Sequence, residues 1–193
     1  MYEFIRGKIV EITPAEVIID TGSIGYFIHI SLNTFSQINK KEEVKLFLHQ
    51  VVREDAQMLF GFAEKYEREL FRMLISVSGI GAGTAVMMFS SLSPDEIKKA
   101  ILEENVSVLK SIKGIGAKTA QRVIIDLKDK IGKSSAGDKL FENGNNTVFE
   151  EASSALVMLG FARKSINKEL TNLIQKNPDV SVEALVKIAL KSL

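Results

Sequence analysis

The sequence predicts an α+β multidomain protein with an N-terminal OB-like β-barrel, a central all-α domain and a C-terminal three-helix domain. Three features support this class: the hydrophobic periodicity changes from strand-like to helix-like near position 63, the helical region contains an internal repeat, and a Gly-, Ser- and Asn-rich stretch precedes a last group of amphipathic segments. The predicted boundaries are 1–63 for the barrel, 64–131 for the central domain, 132–147 for a flexible linker and 148–193 for the C-terminal domain.

Short runs of β-branched and aromatic residues, separated by turn residues, fill the first 63 positions. The segment Asp20–Gly25 is rich in residues that tolerate positive φ, so we expect it to form a hairpin turn. Five short strands in so small a domain favour a closed barrel, because closure removes the free sheet edges. The predicted strands cover residues 4–10, 17–19, 26–30, 44–52 and 58–62.

Helical spacing of the apolar residues begins after Ala63. A clear helix start lies at Ser93–Glu96, where Ser93 can cap the first turn and Glu96 completes a capping box. We expect helices to continue to Ile131. Residues 132–147 contain few large apolar side chains to offset the entropy of ordering, which predicts the linker. The three C-terminal helices are predicted within 148–161, 164–175 and 182–193.

The composition excludes several classes of protein. The chain contains no Cys, so it has neither a disulfide framework nor a thiolate metal site, and it suits a reducing compartment. No apolar run approaches the roughly 18 residues that span a bilayer, and the first residues lack the pattern of a signal peptide. We therefore expect a cytoplasmic protein with no membrane partner.

The net charge of +1 conceals a local basic excess. Residues 110–133 carry seven basic and two acidic side chains. A basic excess confined to one segment indicates a surface that binds phosphate groups.

An internal repeat with an offset of 35 residues is the most informative feature of the sequence. Residues 74–86 and 109–121 are identical at eight of thirteen positions. Each copy predicts a helix, a Gly-Ile-Gly turn, and a second helix whose free N–H groups face outward and suit a phosphate oxygen. Such contacts ignore base identity. The predicted DNA-binding residues are Gly79, Gly81 and Gly83 in the first copy and Gly114, Gly116, Lys118, Thr119 and Arg122 in the second.

The same turn can also serve only to close a tight helix pair, but two copies in matching context favour binding. Gly114–Thr119 lacks the spacing of a nucleotide-binding phosphate loop, and no dinucleotide-binding motif follows a strand. His29 and His49 lie in apolar strand patterns without a spaced partner, so we expect neither of them to bind a metal or to take part in catalysis. We predict no catalytic residue, no metal site and no cofactor.

The paired Gly-Ile-Gly turns are similar to tandem helix-hairpin-helix motifs, and their position after a small barrel resembles the RuvA family of Holliday-junction-binding subunits. The resemblance covers essentially the whole chain, and the segments that carry it are 51–62, 79–81, 114–120 and 155–161. It implies a non-catalytic homotetramer, or an octamer, that holds a four-way (Holliday) DNA junction open during recombination and repair. It also implies a RuvB-type AAA+ ATPase hexamer as the motor partner and admits a RuvC-type resolvase as a further partner.

The resemblance assigns roles to individual residues. Glu54 and Asp55 match the family's acidic pin, whose carboxylates repel phosphates at the junction centre and help to part the strands. Leu156, Leu159 and Phe161 match the region that contacts the motor, although each of the three could equally be core. One departure concerns Ala82-Gly83, where relatives tend to have Pro-Lys, which predicts a weaker electrostatic contribution from the first hairpin than from the second.

Two other classes of function stay open on the residues alone. Helix-hairpin-helix units also occur in DNA repair nucleases and glycosylases, which would need a nucleophile or metal-binding acids near the hairpins. An interaction module would instead use aromatic residues on one barrel face to bind single strands or peptides. The candidates for that face are Phe4, Tyr26, Phe27, Phe47 and Phe60.

Overall fold

The computed structural model describes residues 2–138, 144–177 and 180–192. The chain forms two compact units, Met1–Gly132 and Lys133–Leu193. No helix among the described residues has the length and apolar character needed to cross a membrane.

The N-terminal part of the first unit is a closed five-stranded barrel, which confirms the predicted fold class. Neighbouring strands pair antiparallel except for β3 and β5, and the pairing of β1 with β4 closes the sheet in the order β1-β2-β3-β5-β4. The strands are β1 (Phe4–Ile12), β2 (Glu16–Asp20), β3 (Gly25–His29), β4 (Glu43–Val52) and β5 (Gln57–Phe62).

Alternate strand residues fill the barrel interior, as the period of two predicts. Ile19, Ile28 and Leu46 are fully buried there. Two glycines permit close approaches of the chain across this barrel. A Cβ at Gly7 would lie 2.1 Å from the Asp20 carbonyl oxygen, and one at Gly61 would lie 2.7 Å from Cγ2 of Ile28.

A helix that the sequence analysis did not predict, α1 (Leu32–Ile38), connects β3 to β4. The Ser31 hydroxyl caps it by accepting a hydrogen bond from the Thr34 N–H at 3.1 Å. Its apolar pattern is too short to show a helical period.

The helices that follow include both copies of the repeat. At Ser93 the structure contains the predicted capping box: the Ser93 hydroxyl accepts from the Glu96 N–H, and the Glu96 carboxylate accepts from the Ser93 N–H. The helices are α2 (Lys65–Ile75), α3 (Ala82–Ser91), α4 (Pro94–Leu102), α5 (Val106–Lys110) and α6 (Ala117–Asp138).

The barrel and these helices form one unit, which differs from the predicted boundary between residues 63 and 64. Phe60 and Phe62 on β5 are buried against the helical core, and the Phe62 and Phe71 ring centroids lie 4.8 Å apart. Leu59 on the same strand packs against the barrel core, so β5 contributes apolar residues to both of its faces.

The second unit contains α7 (Gly144–Met158), α8 (Arg163–Lys176) and α9 (Val182–Ser192). They pack around a small apolar core and confirm the three-helix prediction. Helical residues enter both ends of the predicted linker 132–147, because α6 continues to Asp138 and α7 begins at Gly144. Gly and Ser weaken a helix but do not terminate it as Pro does. Residues 139–143 of the predicted linker lie outside the described residues.

Candidate nucleic-acid interface

The two repeat copies have the same backbone hydrogen bonds. In the first turn the Ile80 N–H donates to the Val77 carbonyl at 3.0 Å, and in the second the Ile115 N–H donates to Ile112 at 3.1 Å. The helices that follow begin alike, with Ala85 donating to Gly81 and Ala120 to Gly116, both at 2.9 Å. The sequence repeat is therefore also a structural repeat.

Each turn depends on a glycine with a positive φ, at Gly79 (+95°) and at Gly114 (+91°). An L side chain rarely adopts these angles, which explains why glycine occupies the first position of both turns. A Cβ at Gly114 would meet no atom within 4 Å, so the requirement there is conformational and not steric.

The glycines of both turns are exposed, whereas the isoleucines between them are buried in the helical core. Buried Ile80 and Ile115 thus anchor each turn while its backbone faces solvent. The first N–H groups of α3 and α6 have no partner within their helices, and Gly81 and Gly116, which precede these helices, have no side chain that could cap them. Such N–H groups, together with the positive end of the helix dipole, bind phosphate oxygens.

The two turns lie next to one another. A Cβ built at Gly79 would be 3.8 Å from both Oγ1 and Cγ2 of Thr119, which lies in the first turn of α6. The two glycine turns and the helix N-termini that follow them are therefore side by side on one unit. The sequence predicted both turns but not their contact, because the contact joins residues forty positions apart.

Lys118 and Arg122 lie together on α6, as their spacing of four predicts. Both are exposed, and with Gln121, Ile125 and Asp126 they line a shallow depression of about 250 Å³. Asp126 was not among the predicted site residues. Gly83 occupies the position in α3 that Lys118 occupies in α6, so this cation has no counterpart in the first hairpin.

Glu54 and Asp55 form the exposed tip of the β4–β5 hairpin. The hairpin closes with the Arg53 N–H donating to the Ala56 carbonyl at 2.8 Å. The two carboxylates are thus exposed at the tip, and packing in the barrel core does not explain why acidic residues occupy it.

The two histidines pack against aromatic rings. His29 lies between Phe27 and Phe60, with centroid distances of 5.1 and 5.4 Å, and His49 lies 5.4 Å from Phe71. Burial, followed by the neighbouring Arg72 and Arg68, lowers the pKa of His49. Within the described part of the chain, no group of three or more His, Asp or Glu side chains could hold a metal ion.

The predicted partner-binding residues differ sharply in exposure. Leu156 is fully buried in the core of the second unit, so the structure corrects its assignment to a contact surface. Phe161 packs partly against the same core, and Leu159 is 59% exposed. Met158, which the sequence analysis missed, is 88% exposed. Leu156 lies one helical turn after Ala152, so both side chains are on the buried face of α7. Met158 and Leu159 lie at the end of α7 and are exposed.

A closed five-stranded barrel, joined to a tandem helix-hairpin-helix unit with exposed glycine turns, defines a class of DNA-binding protein that contacts the phosphate backbone. Comparison with protein families gives three matches along the chain. Residues 1–61 match the RuvA N-terminal domain, residues 71–129 match the SAM-like helix-hairpin-helix tandem, and residues 147–193 match the RuvA C-terminal domain.

Similar proteins cover the chain from end to end. The Holliday junction branch migration complex subunit RuvA of Christiangramia forsetii is 49% identical over 193 residues, with 100% of both chains covered. The subunits of the same name from Bacteroides thetaiotaomicron and Flavobacterium psychrophilum are each 48% identical, also with 100% of both chains covered. The chain belongs to the RuvA family.

Proposed function

We propose that this protein is the non-catalytic DNA-binding subunit of a Holliday junction branch migration complex. The observation that carries the proposal is the contact of the two equivalent glycine turns, with Gly79 beside Thr119. Adjacent helix ends can bind successive phosphates of one strand without reading its bases. The full-length similarity to subunits of that name supports the same function.

The DNA contacts are divided unequally between the hairpins. The second hairpin offers backbone N–H groups together with the charges of Lys118 and Arg122, which can form charge-assisted hydrogen bonds with phosphates. The first hairpin offers backbone N–H groups at Gly81 and Gly83 without a basic side chain nearby on α3. Most of the salt dependence of binding then belongs to the second hairpin.

The acidic hairpin tip acts at the junction centre. Glu54 and Asp55 are exposed at the end of two paired strands, so they can enter a space where DNA arms meet. Their carboxylates repel phosphates at short range and thereby oppose the collapse of the arms onto one another. Four copies around a homotetramer would surround the crossover of an open four-way junction.

The second unit supplies the contact with the motor. Met158 and Leu159 form an adjacent apolar pair at the end of α7 and are the two most exposed large apolar residues in the described part of the second unit. Exposed apolar groups of this kind indicate a protein contact. The partner in this proposal is an AAA+ ATPase of the RuvB type, which supplies the free energy for directional strand movement.

A competition assay tests the proposal. Labelled four-way junction is bound to the full-length protein, and unlabelled junction or linear duplex of equal length and composition is added. We expect the junction to compete far more effectively than the duplex, and we expect the DNA to stay intact when divalent metal is present. Equal competition by the duplex would contradict junction binding, and cleaved DNA would indicate a nuclease of the helix-hairpin-helix class.

A further inference from the structure

A groove of about 440 Å³ lies between the barrel and the first hairpin. Its walls come from β3, from β5 and from the first turns of α3, and its rim includes Arg53 at the base of the acidic tip. The groove thus connects the two elements that the proposed function places on the DNA. Its volume lies within the range of about 300–1,000 Å³ that is usual for small-molecule sites.

The floor and walls of the groove are suited to a planar apolar ring. Phe60 and His29 lie with their ring planes only 33° apart and form an aromatic wall, while Met58 and Val86 add aliphatic surface. Phe60 is only 4% exposed, so the ring of His29, backed by Phe60, is the accessible part of that wall. Aromatic and aliphatic surfaces of this kind bind nucleobases by stacking, irrespective of sequence.

The polar groups lie at the edge of the groove. Arg53 is exposed at one end, where its guanidinium can contact a phosphate oxygen. Gly83 also lines the groove, from the first turn of α3, and a Cβ there would meet no atom within 4 Å. The missing side chain at position 83 therefore leaves the entrance open from the side of the first hairpin.

We propose that this groove receives one unpaired nucleotide from the crossover of the junction, with its base against His29 and its phosphate near Arg53. This inference rests on the proposed function and adds a base-binding subsite to it. The subsite would hold a base after its pair has been broken beside Glu54 and Asp55, and so would favour the open crossover. Because stacking is sequence-tolerant, the subsite accepts each new nucleotide as the branch point moves.

Fluorescence of 2-aminopurine at the crossover tests this inference. A junction carrying this base at the branch point is bound by the full-length protein, and the access of acrylamide to the base is measured. We expect binding to reduce quenching by acrylamide several-fold, because the groove shields the base from solvent. A linear duplex carrying the same base is the control for unopened DNA.

Two variants fill the groove from two different elements that line it. Ala15 is exposed in the turn between β1 and β2, and Val86 lies on α3, so we use Ala15→Phe and Val86→Phe. Met87→Phe is the matched control, because it adds a similar ring to α3 at an exposed position outside the groove. We expect both groove variants to restore quenching by acrylamide, while Met87→Phe retains the protection.

The possible results separate the two proposals. The base subsite would be overturned if the unmodified protein bound the junction without protecting the base from acrylamide. It would also be overturned if both groove variants protected the base as well as the unmodified protein does. Failure of the unmodified protein to prefer the junction over duplex would instead overturn the proposed function. Thermal unfolding of each variant shows whether its fold is retained, and the other groove variant serves if one of them fails to fold.

Discussion

The backbone at Gly114 has a φ of +91°, an angle that raises the energy of any L side chain. Gly114→Ala should therefore destabilise the first unit by about 1–2 kcal/mol, although its Cβ has open space around it. The turn would also relax, so we expect weaker binding to the junction. Urea unfolding and fluorescence anisotropy measure the two effects.

Gly83→Ala is the matched control for this change. Gly83 lies in the first turn of α3, and its added Cβ would also meet no atom within 4 Å. Alanine should stabilise that helix by about 0.5–1 kcal/mol, because glycine loses more backbone entropy on folding. Equal destabilisation by both substitutions would contradict the role of positive φ at Gly114.

Glu67 on α2 is only 1% exposed and accepts hydrogen bonds from the side chains of Ser31, Asn33 and Thr34 at 3.1–3.2 Å. Burial, the largest effect, raises the pKa of its carboxyl group, and the hydrogen bonds oppose that rise in part. The folded protein thus retains a proton that the unfolded chain has already lost. The free energy of unfolding should accordingly fall as pH rises from the ordinary glutamate pKa through the raised one.

Glu67→Gln removes this titration while preserving an acceptor for the hydroxyl groups. We expect a flatter dependence of stability on pH across that window, measured by urea unfolding from acidic to neutral pH. The same exchange at exposed Glu103 is the control for removing a carboxylate from the protein surface. A pH profile that Glu67→Gln fails to alter would contradict the assignment.

Helix α6 carries the basic side chains of the proposed interface. Lys118→Ala should lower junction affinity and should reduce the slope of log affinity against log salt by about 1 for each phosphate contact that is lost. Lys99→Ala on α4 makes the same change of charge at an exposed site outside both repeat copies, and it should alter the slope much less. Identical slopes for the two variants would indicate that only net charge matters.

The β4–β5 hairpin opposes binding where α6 promotes it. Combining Glu54→Gln with Asp55→Asn removes two negative charges per subunit from an exposed tip, so affinity for both junction and duplex should rise. Duplex should gain more than junction, because the tip discriminates against DNA without an open centre. Competition assays measure both affinities. Glu11→Gln, at an exposed position on β1, is the control, and an equal gain there would contradict a role for the tip.

The proposed function assigns DNA binding and motor binding to different compact units of the molecule. Met158→Asp combined with Leu159→Asp should abolish most of the stimulation of the partner ATPase, because charge enters an exposed apolar contact. Junction binding should stay unchanged, since the proposed DNA contacts lie in the first unit. Leu190→Asp replaces another exposed apolar residue of the second unit as the control. Equal losses from both changes would contradict a contact localised at the end of α7.

Many features of this protein depend on residues that are a few positions apart, and such features could be predicted from the sequence. The five strands follow from short β-branched and aromatic runs between turn residues, the Ser93 cap follows from its neighbours, and both glycine turns follow from the positive φ that Gly79 and Gly114 allow. The short helix α1 is an exception, because seven residues are too few to display a helical period.

The remaining features required the packed fold. The contact between Gly79 and Thr119, the groove beside His29, and the burial of Leu156 next to exposed Leu159 all depend on which distant segments meet. A hydrophobic pattern states that a side chain prefers to leave water but not which surface covers it. The sequence by itself therefore determined the local backbone conformation, such as the glycine turns and the helix cap. Only the tertiary structure decided which distant residues are neighbours and which side chains are exposed, because both depend on contacts across the chain.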